Sequence, residues 1–139
     1  MAELDPLIRI RKHEVEQKQK SLAALYKRAQ DLKDERDALE AQLAIEAEKT
    51  REMDADYLSY FGAYSDKVQK EIETIDRKRS KLENQIKMAQ DQVRDAFAEL
   101  KKVEIINDRR KEEELAALDK KEADELDEIA IDGFRRKGE

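Results

Sequence analysis

The chain reads as all-α: a two-helix antiparallel coiled-coil hairpin whose second helix is the longer. Composition is the first ground. Of 139 residues 46% are charged and only 5% aromatic, with three Gly and one Pro, which is the usage of long helices rather than of a globular core. Strands lack their β-branched, aromatic and turn residues. Periodicity is the second ground. Apolar residues return every seventh position along two separate segments, which demands a partner helix along each seam and excludes a disordered chain. A break in register between the two segments is the third.

Helix one is expected over about residues 5–50. Ile8, Val15, Leu22, Ala29, Arg36 and Leu43 share one seam position, and Leu4, Arg11, Lys18, Leu25, Leu32 and Leu39 the other. The turn falls at about residues 51–55, where Thr50, Asp54 and Asp56 are candidates to cap a new helix start. Helix two is expected over about residues 54–131. Phe61, Val68, Ile75, Leu82, Ala89, Ala96 and Val103 alternate there with Ser65, Ile72, Arg79, Ile86, Val93 and Leu100. Asp132 and Gly133 are read as its stop, followed by a basic tail over residues 132–139. The chain is taken as a single domain. A continuous helix dimerising with a second copy is the competing architecture.

A fold-back near Met53 and Asp54 sets Leu39 against Val68, Leu32 against Ile75, Leu25 against Leu82 and Leu22 against Ile86. The seam arginines then face tolerant positions, Arg79 opposite Ala29 and Arg36 opposite Ile72, with room for their stems to lie inward and their heads to reach water. Helix one spans about 70 Å and helix two about 115 Å at ~1.5 Å per residue. The end of helix two is therefore left without an intramolecular partner. Apolar Leu115, Leu118, Leu126 and Ile129 lie there nonetheless, which predicts a partner-binding segment.

Nothing in the sequence assembles an active site, so no enzyme and no cofactor are expected. His13 is the only histidine, there is no cysteine, and zinc needs three or four convergent ligands. The glycines form no phosphate-binding loop. Acidic clusters such as Glu112, Glu113 and Glu114 read as solvated helix faces. A basic collar of Arg9, Arg11 and Lys12 with Arg109, Arg110 and Lys111 suits an acidic protein surface better than nucleic acid, because base-stacking aromatics are not interleaved with it. Tyr57, Tyr60, Phe61 and Tyr64 fall within eight residues after the turn; they can cap the turn or form a recognition patch. The absence of cysteine, of a leader-like start and of any apolar run near the ~18–20 residues needed to span a bilayer predicts a cytoplasmic protein without direct membrane insertion.

The order of these features resembles the FliJ family of flagellar export stalk proteins and their YscO-type relatives in injectisomes. The features that carry it are a first helix near 50 residues and a Tyr/Phe-rich start after the turn, Tyr57-Leu58-Ser59-Tyr60-Phe61. The heptad helix follows, with Lys101-Lys102 and a run from Arg109 through Glu114; Asp124-Glu125-Leu126-Asp127-Glu128-Ile129-Ala130 and a basic tail close the chain. The resemblance implies a monomeric cytoplasmic stalk, peripheral to the export apparatus at the inner membrane. It implies insertion of the open hairpin end into a hexameric export ATPase, contact with the cytoplasmic domain of the export gate, and escort of export chaperones. The ring-facing residues so implied are Arg9, Arg11, Lys12, Arg109, Arg110, Lys111, Leu115, Leu118 and Leu126. The gate-facing ones are Tyr60, Tyr64 and Val68, although Glu71 sits in that patch and the tryptophans of some relatives are missing. The rival reading is a self-associating structural scaffold.

Overall fold

The computed structural model describes residues 4–52 and 55–138. The middle of the expected turn, Met53 and Asp54, thus lies outside the described residues, as does Glu139. Two helices make up nearly all the rest: α1, Asp5–Thr50, and α2, Ala55–Gly138. No strand occurs among the described residues. The helices pack against each other as an antiparallel hairpin. Cross-helix hydrogen bonds give the direction: Glu46 meets Tyr57, Arg36 meets Asp76 and Lys18 meets Gln92, so α2 numbers rise as α1 numbers fall.

α1 begins where the amide of Ile8 donates to the Leu4 carbonyl at 2.9 Å. Asp5 sets a carboxylate beside the free amides of the first turn. Pro6 falls in that turn, where its missing N–H has no partner to lose. At the other end, Thr50 does not cap a new helix as its side chain suggested. It is the last residue of α1, only 6% exposed, and its hydroxyl donates to the Glu46 carbonyl at 2.7 Å. A hydroxyl four residues past an open carbonyl satisfies that group first. Asp56, the other described candidate, lies inside the first turn of α2.

The chain forms two compact units, Glu16–Asp95 and Met1–Val15 with Ala96–Glu139. In the first, the apolar heptad rows are buried or half-buried: Leu22, Leu25, Ala29, Leu32, Leu39 and Leu43 on α1, and Val68, Ile72, Ile75, Leu82, Ile86 and Ala89 on α2. Lys18 is exposed, donating to Gln92 Oε1 at 3.4 Å. Arg36 lays its stem in the seam while its Nε donates to Asp76 Oδ1 at 2.8 Å and its Nη1 to Glu40. Asp76 is one turn beyond Ile72, the position set opposite it by the fold-back, and a long side chain spans that offset diagonally. Ala29 and Arg79 border one shallow cleft together with Tyr26, Leu82 and Ile86, and the Gln90 amide donates to the Tyr26 hydroxyl at 2.7 Å across the same seam.

In the second unit, Val15, Leu100 and Val103 are buried. Asn107 is the last buried residue of α2, and every described residue after it is exposed. Two seam atoms there, Arg11 Nε and Asn107 Oδ1, have no hydrogen-bond partner. The helix also does not stop at Gly133. It runs to Gly138, and no described glycine has positive φ. Glycine ends a helix by entering the left-handed region; held right-handed, it only weakens the helix, by about 1 kcal/mol. Arg135, Arg136 and Lys137 in the last turn favour continuation by facing the carbonyl end of the dipole. The residues expected as a frayed basic tail are thus helical as far as they are described.

Ile75→Ala will lower the unfolding free energy by about 2–5 kcal/mol in denaturant titrations, because it opens a cavity in the seam. Arg79→Leu will raise it by about 1 kcal/mol, replacing a seam charge with an apolar side chain. Arg36→Leu will lower the melting temperature, since two carboxylates lose their cation. If the two arginine substitutions act in the opposite order, the seam has been placed wrongly.

Candidate partner-binding surfaces

The residues proposed to meet a ring all lie in the unit that joins the chain ends. Arg9 and Lys12 are exposed on α1. Arg11 is drawn partly into the seam, with its Nη1 bound to Glu14 Oε2 at 3.0 Å, so it offers less of its charge outward than its neighbours. Arg109, Arg110 and Lys111 are exposed and begin two residues after Asn107, where the cover supplied by α1 ends. Beyond them Leu115 is 60% exposed, Leu118 51% and Leu126 66%. Ile129, at 68%, belongs to the same face and completes it. Steps of three and eight residues return to one side of an α-helix, so these four side chains form one apolar stripe. Nothing among the described residues covers it.

The aromatic patch lies in the unit Glu16–Asp95. The Tyr57 hydroxyl donates to Glu46 Oε2 at 2.6 Å, tying the start of α2 to the end of α1. Tyr57 and Tyr60 rings lie 5.9 Å apart at 43°, and Tyr60 and Tyr64 stack 6.4 Å apart at 12°. Such offset pairs add a little to plain area burial. Tyr60 is 62% exposed, Tyr64 half-buried and Val68 only 3% exposed. The gradient has a simple cause: each step of four residues turns about 40° further round the helix. The row therefore walks from solvent into the seam. Val68 faces α1, as its heptad position predicts, and anchors the patch from below; it is not on the contact surface where the family resemblance set it.

Glu46 was missed by sequence reading. It holds the patch in place from eleven residues away in the chain, and only the closed turn brings it near Tyr57. Its carboxyl is held below the ordinary range, first by the Tyr57 hydrogen bond and then by Lys49 and Gln42, against an opposing effect of burial. The Tyr57 hydroxyl is raised, first by its bond to Glu46, then by burial and by the Glu46 charge. The Glu46 contribution to stability is present above the unfolded carboxyl value of about 4.5 and fades as pH falls through the lower folded value. The Tyr57 contribution is full below about 10 and fades as pH rises through the higher folded value.

No group of three or more His, Cys, Asp or Glu among the described residues could hold a metal ion. No described helix is long and apolar enough to cross a membrane.

Compared with protein families, the chain matches the family described as "Flagellar FliJ protein" over residues 1–139. Comparison with curated proteins and with solved structures returned no match.

Tyr57→Phe will lower the melting temperature at pH 7, and its deficit against the unaltered chain will shrink only below about pH 4.5, as Glu46 protonates. Melts of the two chains that differ equally at pH 7 and pH 3 would show that this bond does not hold the turn.

Proposed function

Because the chain belongs to the FliJ family of flagellar export proteins, we propose that it is a non-enzymatic stalk that couples a hexameric export ATPase to the export gate. The uncovered stripe of Leu115, Leu118, Leu126 and Ile129 is the observation that carries this reading. Four large apolar side chains at more than half exposure on one helix face gain by burial against another protein. The exposed cations Arg9, Lys12, Arg109, Arg110 and Lys111 stand where they can steer and orient that docking on an acidic rim. Arg11 contributes mainly by holding its turn of α1. Family membership supports the apparatus; the ring as partner rests on the stripe and the collar.

The gate would be met by the Tyr60 and Tyr64 rings, whose large area and polar tips suit a recognition surface. Val68 and the Tyr57–Glu46 bond fix their position. The stripe also fits small helical export chaperones, which would make escort a second use of the same segment. In this reading the protein works in the cytoplasm, as a monomer, against the inner-membrane export apparatus.

Co-purification of the tagged chain with the export ATPase and with the gate's cytoplasmic domain tests both contacts. Leu115→Asp with Leu118→Asp will abolish retention of the ATPase while changing stability by no more than about 0.5 kcal/mol, as exposed sites do. Tyr60→Ala with Tyr64→Ala will spare the ATPase and weaken the gate contact. Full ATPase retention by the double aspartate chain would remove the stripe from the ring contact.

A further inference from the structure

The stripe has a charge at its centre. Glu122 is four residues from Leu118 and from Leu126, and seven from Leu115 and from Ile129, so it lies on the same face at the midpoint of the four apolar side chains. The rims are acidic as well. Glu112 and Asp119 flank one side and Glu125 the other, and between Glu112 and Asp132 the helix carries ten carboxylates against two lysines. Those lysines, Lys120 and Lys121, fall off the stripe. Lys111 borders the first turn of the stripe, beside Glu114, Leu115 and Leu118, and basic residues resume only at Arg135.

We infer that Glu122 decides what the stripe accepts: a helical segment of another protein with basic flanks and a Lys or Arg at the centre of its own apolar row, and not a second copy of this chain. Symmetry supplies the argument. A second copy laid antiparallel over the stripe brings Glu122 onto Glu122, because the apolar positions are mirror-placed about it. Laid parallel in register, it does the same. Sliding the copies apart by a turn sets each carboxylate against a leucine with no cation to meet it. Each of these arrangements strips water from a carboxylate without compensation. A slide of eleven residues, which brings Lys111 onto Glu122, leaves Leu126 and Ile129 facing the polar Asn107 and Glu104. A helix bearing a central cation covers the same leucines and pairs the charge, and its basic flanks meet the acidic rims. An apolar face at such exposure is otherwise prone to pair with itself, and one central charge is enough to bar that register. The inference rests on the reading of this segment as a docking arm and adds the chemistry of what docks.

Two synthetic helical peptides of about 20 residues, long enough to hold a helix, serve as probes. Both carry leucines at the mirrored spacing and basic flanks; one has Lys and the other Glu at the centre. Fluorescence anisotropy with the full chain should show the Lys peptide binding at least about tenfold tighter, as a paired against an unpaired buried charge predicts. Glu122→Lys should reverse the preference. In sedimentation, Glu122→Leu should form dimers at concentrations where the unaltered chain stays monomeric, with helicity by circular dichroism unchanged. Equal binding of both peptides, a Glu122→Lys chain that keeps the original preference, or a Glu122→Leu chain that stays monomeric overturns the inference. A chain that still retains the ATPase while choosing neither peptide overturns it too, and leaves the coupling reading standing.

Discussion

Everything in this structure follows from a mismatch in cover. α1 offers 46 residues to an α2 of 84, and an apolar seam can be buried only where a second helix runs beside it. As far as Asn107 the seam of α2 is shielded; after it no described residue is. The first stretch is where the fold is stabilised, because side chains such as Val68, Ile75 and Leu82 leave water on folding. The second stretch carries apolar residues that folding does not bury. The division of labour between stability and binding is thus set by where α1 begins.

The charged residues respect the same division. Arg36 occupies a seam position yet keeps its guanidinium at the edge, bound by Asp76 from α2 and Glu40 from α1, so it acts as a strap between the helices. The other ion pairs among the described residues are three residues apart along the chain, and such pairs contribute only a few tenths of a kcal/mol each. They keep the helices solvated without deciding their pairing. Glu122 works differently: it lies in a row that is bare in the free chain and matters only when a partner arrives.

The seam was legible in the sequence nearly residue by residue, because a seven-residue apolar repeat has one geometric solution, a facing helix. The missing cover over residues 115–129 was legible for the same reason, by comparing helix lengths. What sequence could not give were features set by backbone geometry or by distant chain. Thr50 and Gly133 have the identities of a cap and a stop, but identity alone does not say whether a hydroxyl turns back to Glu46 or whether φ turns positive. Val68 was set in the seam by its heptad position and on the recognition surface only by the family resemblance, and at 3% exposure it lies in the seam. The Glu46–Tyr57 bond exists only once the turn has closed.

The two seams belong to one molecule. Pulsed electron paramagnetic resonance between spin labels at Lys33 and Lys78, both exposed in the unit Glu16–Asp95, tests it directly when labelled chain is diluted with unlabelled chain. Helices packed about 8–10 Å apart predict one short distance that survives dilution. A distance near 68 Å, the span of about 45 residues of unbroken helix at ~1.5 Å each, would contradict the hairpin.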